Sequence, residues 1–158
     1  LLYQGETEIV LLAGDSEHQV NKDRYKGFCS AVEKNGFPEL IQKVHWGVSS
    51  VEDTEVLIKK TLESGCSCVV CMDDVICVKV LKVLQKLRIR VPEDVRIASF
   101  YDSALMEQYH PPITALHVAV EQLSSKAGEL MIDAIKGKEV KKINRVGWEL
   151  RIRDSSRR

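Results

Sequence analysis

Two adjacent carboxylates, Asp73 and Asp74, are the residues whose placement points most directly to chemistry. They follow a short apolar run, Cys68 to Met72, and precede an apolar pattern of helical spacing. An aspartate at such a junction can cap the helix by accepting a backbone N–H. With one carboxylate so used, the other is free to accept hydrogen bonds from ligand hydroxyls, since ionised carboxylates only accept. Arg24 lies one turn into an earlier helical segment, where an arginine ordinarily makes a surface ion pair. Trp46 ends a candidate strand, where an indole is ordinarily core. Cys68 and Cys71 form a C-x-x-C, but inside a strand the two thiols face opposite sides. No second ligand pair has zinc-site spacing, so no metal site is expected. His110 and His117 are the remaining groups that could serve an enzyme, yet no base–nucleophile spacing accompanies them.

Nucleotide and hydrolase signatures are missing. Gly14 is a single glycine after the first strand, without G-x-G-x-x-G, and neither G-x-x-x-x-G-K-[ST] nor G-x-S-x-G occurs. No cofactor is implied. The 158 residues, 44% of them hydrophobic, suffice for one ordinary core. With 23 basic and 23 acidic residues the formal charge is zero, and no basic stripe marks a nucleic-acid face. Five cysteines, an odd number and all in apolar runs, read as reduced thiols in a cytoplasmic protein. No apolar run reaches membrane-spanning length. A start at Leu1, in mid-element, suggests a piece of a longer chain.

The elements that must position these residues alternate between strand and helix. Ile9 to Ala13, Leu40 to Trp46, Cys68 to Met72 and Val95 to Phe100 read as strands. Lys22 to Lys34, a segment starting at Ser50 with Asp53 in a capping-box-like arrangement, and Val75 to Leu87 read as helices. An acidic, Pro-terminated loop follows the fourth strand. A further helix carries Leu123, Ala127, Leu130 and Ala134, and Val146 to Ile152 alternates as an edge strand would. Continuously apolar strands belong to parallel sheets covered on both faces. The expected fold is therefore α/β, a doubly wound, mostly parallel sheet with helices on both faces. The third helix leaves only Lys79, Lys82 and Lys86 as a polar stripe. That apolar face is wider than one sheet requires, which suggests either a second chain or deep cover within one subunit.

The order of motifs resembles the sugar-sensing half of lactose-repressor (LacI/GalR) family transcription regulators. The family's "(A/C)ND" stands where this chain has Met72-Asp73-Asp74, and its "G-L-R-V-P-E-D-V" where it has Arg88 to Val95. Its "G-(F/Y)-D-D" matches Ser99 to Asp102, its "P-P-L-T-T" matches Pro111 to Ala115, and its "R-x-x-G-(F/Y)" matches Arg24 to Phe28. Glu6 to Gly14 and Arg151 to Ser156 resemble the family's first strand and its ending.

The resemblance implies a periplasmic-binding-protein-like C-terminal subdomain over residues 1–118. Residues 119–158 would be a helix and strand that return to an N-terminal subdomain lying outside this stretch. It further implies an effector site at Arg24, Trp46, Asp73, Tyr101 and His18, and a dimer interface at Val78, Lys82 and Tyr109. Some positions depart from the pattern. Asp73 replaces an asparagine, Tyr101 replaces the first aspartate of the pair, and Val118 replaces a residue that is often polar. The implied function is effector sensing and homodimerisation in a cytoplasmic, non-enzymatic transcription regulator. A small sugar-like metabolite would control binding to DNA, which an N-terminal domain outside this chain would contact. The alternatives are a transporter's solute-binding protein, which shares the fold, and a flavodoxin-like enzyme or signalling domain.

Overall fold

A computed structural model describes residues 1–2 and 5–157. Six strands form one sheet: β1 Ile9–Leu12, β2 Val44–His45, β3 Cys68–Cys71, β4 Arg96–Ser99, β5 Thr114–Val118 and β6 Trp148–Arg151. Their spatial order is β2-β1-β3-β4-β5-β6. All neighbours are parallel except β5 and β6, which pair antiparallel. Every residue of β1 and β3 is buried, as expected of strands covered on both faces.

Five α-helices connect the strands: α1 Gln19–Lys34, α2 Val51–Glu63, α3 Asp74–Lys86, α4 Ala104–Gln108 and α5 Val120–Ile135. Right-handed crossovers determine their faces. The step from β1 to β2 runs in one direction, and the steps from β2 through β5 run in the other. Helix α1 therefore covers one face, and α2 and α3 cover the opposite one. The doubly wound, mostly parallel α/β fold expected from the sequence is the fold observed.

Two segments differ from expectation. Only Val44 and His45 of the expected strand Leu40 to Trp46 are extended. Pro38 to Lys43 is a 3-10 helix with Pro38 in its first turn, where a missing N–H costs nothing and φ is already set. The acidic loop after β4 contains the short helix α4. β6 pairs with β5, and Ser155 and Ser156 beyond it are buried.

The wide apolar face of α3 is largely used within the chain. Ile76, Cys77, Val80, Leu81, Val83 and Leu84 are buried against the sheet and α2. Val75 is exposed, while Val78 and Tyr109 are half-buried against the core. At the amino edge, Glu6 and Arg96 form a buried ion pair, and Ser67 donates to Glu6.

Candidate functional site at the carboxyl edge of the sheet

The strand order reverses between β1 and β3, so their carboxyl ends diverge to leave a crevice. The loop after β1 forms one side of it. Asn21, buried on α1, donates from Nδ2 to the Asp15 carbonyl at 2.8 Å. A side chain at Gly14 would meet that amide at 3.4 Å, so the glycine lets helix and strand end approach closely. Asp15 Oδ1 accepts the Glu17 N–H at 2.8 Å, which tightens the turn.

Arg24 follows Asn21 by three residues and lies on the same side of α1. Its Nη1 donates to the Met72 carbonyl at 2.8 Å, at the end of β3. The side chain thus bridges the crevice from α1 to the β3–α3 turn. Among the described residues it makes no surface ion pair of the kind its sequence context alone suggests.

Asp73 is the N-cap of α3, and its Oδ1 accepts the Ile76 N–H at 2.8 Å. Asp74 occupies the first helical turn, where negative charge favours the helix dipole. Among the described residues no hydrogen bond engages the second oxygen of Asp73, which leaves it as an acceptor at the crevice.

Trp46 follows β2 and is 37% exposed. It packs edge-to-face on Tyr25, with centroids 5.2 Å apart and planes at 65°. The chain after it is tied to the end of β1, since Gly47 N–H donates to the Gly14 carbonyl and Val48 N–H to that of Ala13. Tyr101 lies two residues beyond β4. Its carbonyl accepts from Ser99 Oγ at 2.8 Å, and its N–H donates to the same hydroxyl at 3.2 Å. His18 is at the N-cap of α1 without capping it, and its Nε2 is 3.8 Å from Asp15 Oδ2 at the surface. Arg24, Trp46, Asp73, Tyr101 and His18 therefore all lie at the carboxyl edge, around four strand ends.

The matched pair of residues 101 and 102 divides its work. The Asp102 side chain is only 2% exposed. Arg153 donates to it twice, Nη1 to Oδ1 at 2.6 Å and Nη2 to Oδ2 at 3.0 Å, and Arg151 Nη1 reaches Oδ2 at 3.3 Å. His117 Nδ1 stands 3.4 Å from Oδ2. Burial pushes this carboxyl up, but the bonds and charge of Arg153, with Arg151 and His117, hold it below the usual carboxylate range.

Cys66, Cys68 and Cys71 supply no reactive group to this edge. Burial pushes the Cys66 and Cys68 thiols up, and a bond to Cys77 together with burial does the same for Cys71. Neutral buried thiols neither ligate metals well nor react readily. An apolar trough of about 410 Å³ lies elsewhere, on the α1-covered face, lined by Phe28, Val32, Val70, Leu116, Leu150 and Ile152 among others.

Three contributors escape a reading of the sequence. Asn21 is buried in register with Phe28 and Val32, and a polar residue at that spacing was the available signal. Tyr25 supports Trp46, and Arg153 pairs with Asp102 across 51 residues. Neither of those contacts has a local signature.

Residues 1–156 match the family described as periplasmic-binding-protein-like domain. The chain belongs to this family. It is 27% identical over 159 aligned residues to the HTH-type transcriptional repressor PurR of Vibrio vulnificus (strain CMCP6), an alignment covering 98% of this chain and 47% of that protein. This chain thus spans about half the length of the curated relatives it matches. Among solved structures it is similar to the transcription regulator CcpA of Lactococcus lactis, with a TM-score of 0.86, 23% identity, and 99% of this chain against 58% of that one. A LacI family transcriptional regulator from Bifidobacterium animalis subsp. lactis DSM 10140 gives 0.82 and 25%, with 99% and 57% covered. The resemblance to LacI/GalR-type regulators carried by the sequence motifs is thereby shown. These relatives are transcription regulators. No helix among the described residues is long and apolar enough to cross a membrane.

Proposed function

We propose that this chain is the effector-sensing region of a cytoplasmic, non-enzymatic LacI/GalR-type transcription regulator. It takes a small sugar-like metabolite at the carboxyl edge of its sheet, and occupancy shifts a longer homodimeric protein between DNA-binding states. The observation that carries this reading is the gathering of a guanidinium, a half-exposed indole and a free carboxylate oxygen around the strand-order reversal, at Arg24, Trp46 and Asp73. A hydroxylated ring can stack on an indole and exchange hydrogen bonds with both charged groups. Tyr101 and His18 extend the same edge. Val78, Lys82 and Tyr109 are the proposed contact with a second copy.

A calorimetric titration of mono- and disaccharides into the chain tests this, with Arg24→Ala alongside. One edge encloses a ligand incompletely, so binding is expected at about millimolar strength. It should disappear in Arg24→Ala, while the unfolding midpoint shows the variant still folded. Undiminished binding in that variant would move the site elsewhere.

A further inference from the structure

Residues 119–147 form an excursion from the sheet. They leave at the end of β5 and return at the start of β6, where Val118 pairs with Trp148. None of the sixteen residues of α5 is buried. The antiparallel β5–β6 ribbon is thus the root through which the excursion joins the rest of the fold.

One carboxylate lies under that ribbon. Asp102, next to Tyr101, is approached by side chains from both strands and receives the forked guanidinium of Arg153 just past them. His117 comes from β5, Arg151 from β6, and Arg153 follows two residues later. Arg153 is itself fixed to the start of β5. Its Nη1 donates to the Ile113 carbonyl at 2.6 Å, and its N–H donates to Thr114 Oγ1 at 2.8 Å. One buried negative charge thus answers two guanidiniums. Without it Arg153, whose side chain is 13% exposed, would lose its buried ion-pair partner, which is far costlier than losing an exposed pair.

We propose that Asp102 is a positioning residue, a clamp that couples the Tyr101 loop at the candidate site to the ribbon carrying residues 119–147. The inference rests on the proposed function only for the role of Tyr101 as a ligand position. A ligand that displaces this loop moves Asp102 with it, and the ion cluster passes the displacement to both strands of the ribbon. Coupling then runs through a contiguous set of named contacts and is reciprocal.

Amide hydrogen exchange on the 158-residue chain tests the clamp without any ligand, so its outcome is separate from that of the sugar titration. Four proteins are compared: wild type, Tyr101→Ala, Asp102→Asn and the double variant. In the wild-type background Tyr101→Ala should change exchange at Leu116 to Val118 and Trp148 to Arg151 by about threefold or more, with amides of β1 and β3 unmoved. In the Asp102→Asn background that response should collapse toward unity. A ribbon that ignores Tyr101→Ala, or responds equally in both backgrounds, overturns the clamp. If Asp102→Asn also accelerates β1 and β3, Arg153→Lys replaces it, because it keeps a cation but loses the forked bond. The same two outcomes then decide.

Discussion

Arg24 shows how one side chain can serve fold and site together. Its bond to the Met72 carbonyl closes the crevice between the first helix and the third strand, and its guanidinium has further donors for a ligand. Asp73 is similar, with one oxygen spent on the helix cap and the other left over. Asp102 has moved wholly to the structural side, and its lowered pKa has a consequence for stability. A carboxylate held below its unfolded value stabilises the fold above about pH 4 and loses that contribution as pH falls through the folded value. Acid unfolding of the wild type should therefore include a component that Asp102→Asn lacks. At neutral pH that substitution should cost about 3 kcal/mol, because it strands Arg153. Denaturant titrations at pH 7 and pH 3 would show the gap between the two proteins closing at the lower pH. A gap that stays constant would contradict the lowered pKa.

The elements follow closely from local rules where those rules are strong. Ser50 accepts the Asp53 N–H at 3.0 Å and donates to its carboxylate, so the expected helix start is the observed one. Of the continuously apolar Cys68 to Met72, Cys68–Cys71 is a fully buried strand and Met72 is buried just beyond it. The segment Leu40 to Trp46 misled because Pro38 and buried Leu40 suit a 3-10 turn as well as they precede a strand. Apolar content alone does not separate the two. Of the candidate site, the residues singled out in the sequence all lie at the carboxyl edge of the sheet. What the sequence could not supply were contacts between distant residues, such as Arg24 to the Met72 carbonyl. The end of α3 offers a direct test of local backbone chemistry. Arg88 follows the helix with φ of 58°, a left-handed conformation that costs a side chain but not glycine. Arg88→Gly should raise stability by about 0.5 kcal/mol, read as a shift in denaturant midpoint at unchanged slope. A loss would mean that the Arg88 side chain makes a stabilising contact of its own.

On the proposed reading, a chain with zero formal charge and an unsheltered α5 works with other protein and leaves DNA contact to another part of the regulator. A mobility-shift titration at physiological salt should show no sequence-specific complex with this chain alone. The proposed pairing of two copies rests on a narrower surface than the sequence pattern implied, since most of the apolar face of α3 is buried within the chain. What remains at Val78 and Tyr109 is half-buried against the core. Light scattering at micromolar concentration should show a dimer that Val78→Asp converts to monomer. A monomeric wild type would remove that interface.

The central claim is that ligand binds at the crevice where the strand order reverses, and the two tryptophans make it measurable in one spectrum. Trp46 stands at that crevice against Tyr25, while Trp148 lies at the start of the edge strand and is 70% exposed. Each gives one indole N–H cross-peak in a proton–nitrogen correlation spectrum. Titration with millimolar mono- and disaccharides should shift the Trp46 peak progressively with at least one sugar, with any movement of the Trp148 peak on the ribbon coupled to the site following that shift. If the Trp148 peak moves alone, or neither peak responds to any sugar, the crevice is not the site.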